Sequence, residues 1–418
     1  MAQLTDDCFA FGGPLLTIDA ATQLITERLP VIAGVESVPV FEADGRVLAH
    51  ALTAPLPLPP FDNSAVDGYA VAHGDLVPGG ATTLPVQLRL IAGDRTAASH
   101  PPGTATRIFT GAPMPAGADT VFMQEDVEVL QDGRVVLPAG LKLGANRRLA
   151  GEDLADGGAA LPSGRKLGPA ELSLAASLGL AQLTVRTRLR VAVFSTGNEV
   201  VAPGAPLAPG TLYDANRALL IALIRRTGCH VTDLGILPDQ RAAVTSALAD
   251  AASSHDLIIT SGGVSTGEED HVRAALEGAG SLVFWRMAIK PGRPVALGLI
   301  NGCAFVGLPG NPVAVFVTYV RVARVLIARL AGETPVAAPA LPVRLGFRYR
   351  KKAGRREYVR VRLVAEADGI VAHKHPRDGA GVITSLTETD GLVELVESST
   401  GVVEGDMAPF LPYATLLA

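Results

Sequence analysis

The stretch DLIITSGGVSTGEEDHVRAAL, residues 256–276, decides the fold. Residues 257–260 read as a short buried strand and residues 271–276 as a helix, with a Ser-Gly-Gly turn between them. A turn of this kind points backbone N–H groups at an anion, and in α/β sheets it sits at the carboxyl end of a strand. Yet Glu268, Glu269 and Asp270 follow in a row at the start of the helix. Acids in a first helical turn favour the positive end of the helix dipole by about 0.3–1 kcal/mol each. That accounts for one or two of the three and leaves the glycine nest without a role.

Outward from this stretch, strands alternate with helices. RVAVFST (190–196) and HVTDLGIL (230–237) read as strands, and 215–227 and 241–252 as helices. Downstream, 281–287, 294–300 and 303–308 read as strands and 312–330 as a long amphipathic helix. This rhythm predicts a doubly wound α/β domain with a mainly parallel sheet. The flanks differ in kind. Ile18, Ala21, Leu24, Ile25 and Leu29 recur at helical spacing behind a cap at Thr17 or Asp19. APLPLPP (54–60) is extended and marks a boundary. From there to about residue 148, short alternating runs broken by Gly, Pro and Asp read as a small β domain. Residues 171–178 read as a short helix, and beyond Gly332 the pattern is all β. The expected class is multidomain α/β plus β.

Bulk properties narrow the function. A chain of 418 residues is too long for one ordinary core and suggests about three domains. A net charge of -5 gives no bulk reason to expect nucleic acid, so any anion must be bound locally. Cys8, Cys229 and Cys303 are odd in number and far apart, which fits a reducing cytoplasm rather than a disulfide framework. The first residues carry acids where a signal peptide carries Lys or Arg, and no apolar run approaches the ~18 residues of a membrane span. Neither nucleic acid nor membrane is expected as a partner.

Four further stretches carry chemistry. In FDNSAVDGYA (61–70), Asp62, Asn63, Ser64 and Asp67 crowd together, which an Asx-rich turn would also explain. In FTGAPMPAGAD (109–119), Thr110 precedes a rigid two-proline loop. FSTGNEV (194–200) offers N–H groups at Thr196 and Gly197, with Glu199 at the strand's carboxyl end. In IKPGRP and GLPGNP, Lys290 and Arg293 flank one Gly turn and a second leads into a helix, which favours an anionic ligand. Three strand ends of one sheet therefore pair Gly-rich turns with charge. Mg²⁺ reconciles cradle and acids, because carboxylates supply its oxygen ligands and it bridges to phosphate or another oxyanion. His373 and His375 have no third ligand in view and read as solvent-exposed. HExxH, GxSxG and GxxxxGK[ST] are all missing, which removes support for zinc protease, α/β-hydrolase and P-loop readings.

In chain order, FDNSAVDGYA, TGAPMPAGAD, GANRRLAGEDL, FSTGNEV, LYDANR, LGILPD, TSGGVSTGEED, FWRMAIKPGRP and GLPGNP resemble the molybdopterin molybdenumtransferases, the MoeA family that includes the gephyrin E domain. Several are loose singly, but the ordered set is specific and spans nearly the whole chain. The resemblance implies an elongated N-terminal domain in two segments (14–56 and 149–184) and an inserted β domain (57–148). It also implies an α/β molybdopterin-binding domain (185–332) and a C-terminal β barrel (335–418). A homodimer with active sites between subunits is implied, as is transient contact with the molybdopterin adenylyltransferase. The implied reaction inserts molybdate into adenylylated molybdopterin with release of AMP and requires Mg²⁺.

Carried over position by position, Asp67, Thr110, Glu199, Asp239, Asp270 and Lys290 match catalytic positions, and Glu199, Asp239 and Asp270 are expected to hold Mg²⁺ or the pterin. Ser261, Gly262, Gly263, Ser265, Asn146, Arg148, Arg293, Pro309, Pro312 and Arg360 match binding positions. Lys290, Arg293 and Arg148 are expected to hold phosphate or molybdate. Three positions depart from the family's habit. Asn198 stands where Asp is usual, Arg286 replaces a frequent Lys with different donor geometry, and Ala380 sits where Ser is common. Two alternatives accompany this reading: an adenylyltransferase-type activity on the same α/β unit, and a non-catalytic molybdopterin-binding paralogue or scaffold.

Overall fold

The structure is a computed structural model that describes residues 15–95, 98–238, 240–262, 280–334 and 340–417. The helix expected over 271–276 lies outside these residues. The central sheet runs in the order His230–Leu237, Arg190–Thr196, Leu257–Ser261, Cys303–Leu308, Pro294–Ile300, Gly280–Arg286. The first four strands are parallel, Pro294–Ile300 runs against them, and Gly280–Arg286 runs against Pro294–Ile300 in turn. The antiparallel turn is Asn301-Gly302, both at positive φ, as a two-residue hairpin of this twist demands.

Both faces of the sheet are covered at its centre, which is why Leu257–Ser261 and Cys303–Leu308 are buried throughout, whereas the edge strand His230–Leu237 is not. Val191 and Val193 point into the core beneath Ala215–Arg226 and the helical segment 312–331, while Ala192 and Phe194 point into the core beneath Arg241–Ser254. Ala215–Arg226 starts where Asp214 caps it, accepting from Arg217 N at 3.1 Å. The segment from Pro312 is α-helical to Thr318, a π turn over Tyr319–Ala323, and α-helical again over Arg324–Ala331. It departs from the expected amphipathic helix: Val313, Ala314, Val315, Phe316, Val317 and Thr318 are all buried. The sheet, the N-terminal helix Ile18–Arg28 and barrel residues Tyr358, Leu392 and Leu411 enclose it together.

Before the central sheet, the chain runs out and back through three nested antiparallel pairs. Val35–Pro39 pairs with Gln182–Arg186, Leu52–Thr53 with Ala159–Leu161, and Asn63–Ser64 with Arg147–Arg148. Between the innermost pair lies a six-stranded mixed sheet whose strands fall within 68–137. After the central sheet, Arg356–Glu366 pairs with both Gly369–Lys374 and Gly391–Leu395, closing a five-strand barrel through Leu341–Leu345 and Met407–Pro412. Ile289–Lys290 adds to this barrel alongside Arg356 and Glu357. Among the described residues, no helix is long and apolar enough to cross a membrane.

Candidate active site

The strands ending at Thr196, Ser261 and Leu308 finish on one edge of the sheet, and polar side chains stitch the ends together. Ser261 Oγ donates to Pro309 O at 3.1 Å and accepts from Asn216 Nδ2 at 2.8 Å, while the same Nδ2 donates to Gly310 O at 2.7 Å. Gly262 has φ +87°, and a Cβ there would lie 3.2 Å from Thr196 O, so the close backbone approach favours glycine. Pro312 opens the following helix, where its missing N–H is no loss.

Gly262, Gly310 and Asn311 form a wall shared by two cavities. The first, about 460 Å³, lies between the strand-end turns and the barrel and gathers Lys290, Arg293 and Arg360, together with Tyr349, His375 and Asp378. Asp378 is bonded to Lys374 Nζ at 2.6 Å. Arg360 is 5% exposed; its Nη2 donates to Arg377 O at 3.0 Å, and its Nε has no partner. Burial pulls the Arg360 pKa down, a cost that an anion in the cavity would offset. Lys290 Nζ donates to Tyr349 OH at 3.0 Å and lies 3.3 Å from Glu357 Oε2. Burial opposes its charge, but Tyr349 and Glu357 outweigh burial and leave its pKa raised. The cavity is cationic at neutral pH.

The second cavity, about 470 Å³, is lined by Thr196, Glu199, Asp214, Asn216, Ser261 and Pro312 among others. Its two carboxylates differ. Asp214 is buried and committed to Arg217, whose Nε it accepts at 2.8 Å, whereas Glu199 is exposed. One lobe therefore gathers three cations. The other offers an acid beside amide and hydroxyl groups.

Residues 16–179 match the MoeA N-terminal region (domain I and II), 192–329 a probable molybdopterin binding domain, and 342–413 the MoeA C-terminal region (domain IV). The chain is 38% identical to a molybdopterin molybdenumtransferase of Haemophilus influenzae over 96% of its own length and all of that protein's. The chain belongs to the MoeA family. It is also 35% identical to molybdopterin molybdenumtransferase 2 of Mycobacterium tuberculosis, over 88% of this chain and 93% of that one. The crystal structure of a MoeA protein from Pyrococcus horikoshii superposes with TM-score 0.80, covering 96% of this chain and 100% of that one at 26% identity.

In this MoeA-family chain, Lys290, Arg293, Pro309 and Arg360 line the first cavity, Glu199, Ser261 and Pro312 the second, and Gly262 both. Asp239, Gly263, Ser265 and Asp270 lie outside the described residues. Asp67, Thr110, Asn146 and Arg148 line neither cavity. Thr110 donates to Asp67 Oδ1 from both N and Oγ1 at 2.8 Å, the backbone bond first, and this holds the Asp67 carboxyl below its usual range. Asn146 sits at φ +58° with its Nδ2 on Val121 O, and Arg148 is exposed, 3.9 Å from Glu152. Within one chain, Arg360 rather than Arg148 joins Lys290 and Arg293.

His375 corrects the sequence reading. It is 5% exposed and lines the first cavity, with Nε2 2.8 Å from Glu388 Oε2, because barrel closure folds the chain over it. Tyr349, Asn216 and Asn311 were missed as well; the asparagine in LYDANR was a signal for Asn216. Of the departures from family habit, Ala380 lines the first cavity, while Asn198 and Arg286 are exposed. Among the described residues, no group of three or more His, Cys, Asp or Glu side chains could hold a metal ion.

Proposed function

We propose that this chain inserts molybdate into adenylylated molybdopterin, releasing AMP. One arrangement supports the reading above all: three cations share one cavity, divided by a glycine wall from a second that carries Glu199. Molybdate is a small dianion and suits the first cavity, where Lys290 offers a point charge and Arg360 a fork of donors. The second cavity, with Asn216 and Ser261, suits the polar edge of a pterin or the adenylate.

Glu199 is a hard oxygen donor of the kind Mg²⁺ takes, and Asp239 and Asp270 are proposed as its companions. Bound there, Mg²⁺ would neutralise charge on phosphate oxygens. Asp67 and Thr110 line neither cavity of their own chain, so we assign them to the partner's site in a cytoplasmic homodimer. Transient contact with the molybdopterin adenylyltransferase would deliver the substrate.

The test supplies purified protein with adenylylated molybdopterin, Mg²⁺ and inorganic molybdate and follows AMP. AMP release should require molybdate and be lost in Lys290→Ala and Arg360→Ala. Substrate left intact with both ions present would overturn the assignment.

A further inference from the structure

The cavity cation Lys290 ends a chain of hydrogen bonds that begins inside the barrel. Its Nζ donates to Tyr349 OH at 3.0 Å and sits 5.5 Å from the centre of that ring. The Tyr349 hydroxyl donates to Glu357 Oε2 at 2.8 Å, and Arg355 Nε donates to Glu357 Oε1 at 2.7 Å. The Glu357 side chain is 1% exposed. A carboxylate so buried is strongly unfavourable unless paired, and here Lys290, Arg355 and a phenol share it, so the cluster keeps an excess of positive charge. Backbone register reinforces the contact, because Lys290 is the partner of Glu357 where the two strands run parallel.

We propose that Tyr349 and Glu357 act as one unit that positions the Lys290 ammonium for an oxyanion in the first cavity. The inference rests on the molybdate reading above and adds two residues to it. Lysine is a flexible stem bearing three rotatable donors, and the Lys290 side chain is 43% exposed. Unpinned, it would hold an anion in many geometries. With one donor on Tyr349 OH and Glu357 drawing Nζ by charge at 3.3 Å, the ammonium is held in place with donors left for a ligand. The charge of Arg355 keeps Glu357 from neutralising Lys290 outright.

The experiment measures binding of inorganic molybdate by calorimetry, together with KM for molybdate and kcat, in Tyr349→Phe, Glu357→Gln, the double variant and Lys290→Met. Tyr349→Phe keeps the ring and loses only the hydroxyl. Each single change should weaken molybdate about three- to tenfold, the effect of one hydrogen bond, and the loss should fall on KM rather than kcat. Because the pair acts as a unit, the double variant should be no worse than the worse single.

A pH readout separates positioning from mere structural support. Lys290 titrates among Tyr349, Glu357 and Arg355 of the barrel, Arg293 of its own turn, and Arg360, His375 and Asp378 across the cavity. Removing the Glu357 charge should let Lys290 lose its proton sooner, moving the alkaline limit of molybdate binding to lower pH. Unchanged affinity in folded Tyr349→Phe, or additive effects in the double variant, would overturn the inference. If Lys290→Met itself binds molybdate normally, the oxyanion reading falls with it. Should Glu357→Gln fail to fold, Tyr349→Phe still decides.

Discussion

Arg360 Nη2 donates to the backbone carbonyls of Arg377 and Gly379 and leaves Nε without a partner, so Arg360→Lys keeps the charge while removing the fork. Binding of inorganic molybdate should weaken roughly tenfold, the worth of one hydrogen bond to a charged group, as read by calorimetry. Asp62 acts on folding instead. It accepts from Ala150 N at 2.7 Å and from Arg147 Nε at 3.0 Å, and those bonds, Ala150 first, hold its carboxyl below the usual 3.8. With the folded pKa below the unfolded one, the stabilisation is complete above about pH 4 and drains away as pH falls through the folded value. Asp62→Asn should therefore cost ~1 kcal/mol at pH 7, allowing for partial exposure, and less at an acid pH low enough to protonate the folded carboxyl. Thermal unfolding at both pH values checks this; an equal deficit at each would exclude an ionised carboxylate as the cause.

At the scale of elements, the turn carrying Lys290 and Arg293 is seated on the helix that follows GLPGNP. Gly292 has φ +107°, and a Cβ there would lie 2.6 Å from Thr318 Cγ2 and 3.3 Å from Ala314 O. Thr318 has little freedom to yield, since its hydroxyl donates to Ala314 O at 2.7 Å. Gly292→Ala should cost ~2 kcal/mol through backbone strain and crowding, and should weaken molybdate binding without altering any ligand-facing side chain. Melting curves and calorimetry on that variant test the seat, and wild-type affinity would show that the turn does not need it. The strands 190–196, 294–300 and 303–308 were legible because burial on both faces writes a continuous apolar run. Met407–Pro412 escaped because Pro409 and Pro412 disturb its alternation, and Ile289–Lys290 because two residues carry no period. Lys290 and Arg293 could be read as charges flanking a glycine. Their meeting with Arg360, and the burial of His375, depend on barrel closure, which leaves no local mark.

For the whole molecule, the proposed shared site predicts rescue between two inactive chains. Asp67→Ala and Lys290→Ala subunits, mixed and exchanged at random, should form half their dimers as hybrids with one intact site of two, restoring about a quarter of wild-type activity. Verified exchange with no rescue would place both residues in one chain's site. The nested out-and-back pairs bear on something else, the order in which the chain acquires its shape. Closing Leu52–Thr53 onto Ala159–Leu161 from an open chain brings together distant ends. Once Asn63–Ser64 has met Arg147–Arg148, only nine intervening residues remain on one side and ten on the other. By the slow logarithm of loop closure, that lowers the entropic barrier by about 1.5 kcal/mol. The neck should therefore zip from the inside outward, beginning at the pair that Asp62 braces through Arg147. During synthesis, residues 63–64 should stay protease-sensitive until Arg148 has left the ribosome, and residues 35–39 until Arg186 has, although their own codons were read long before.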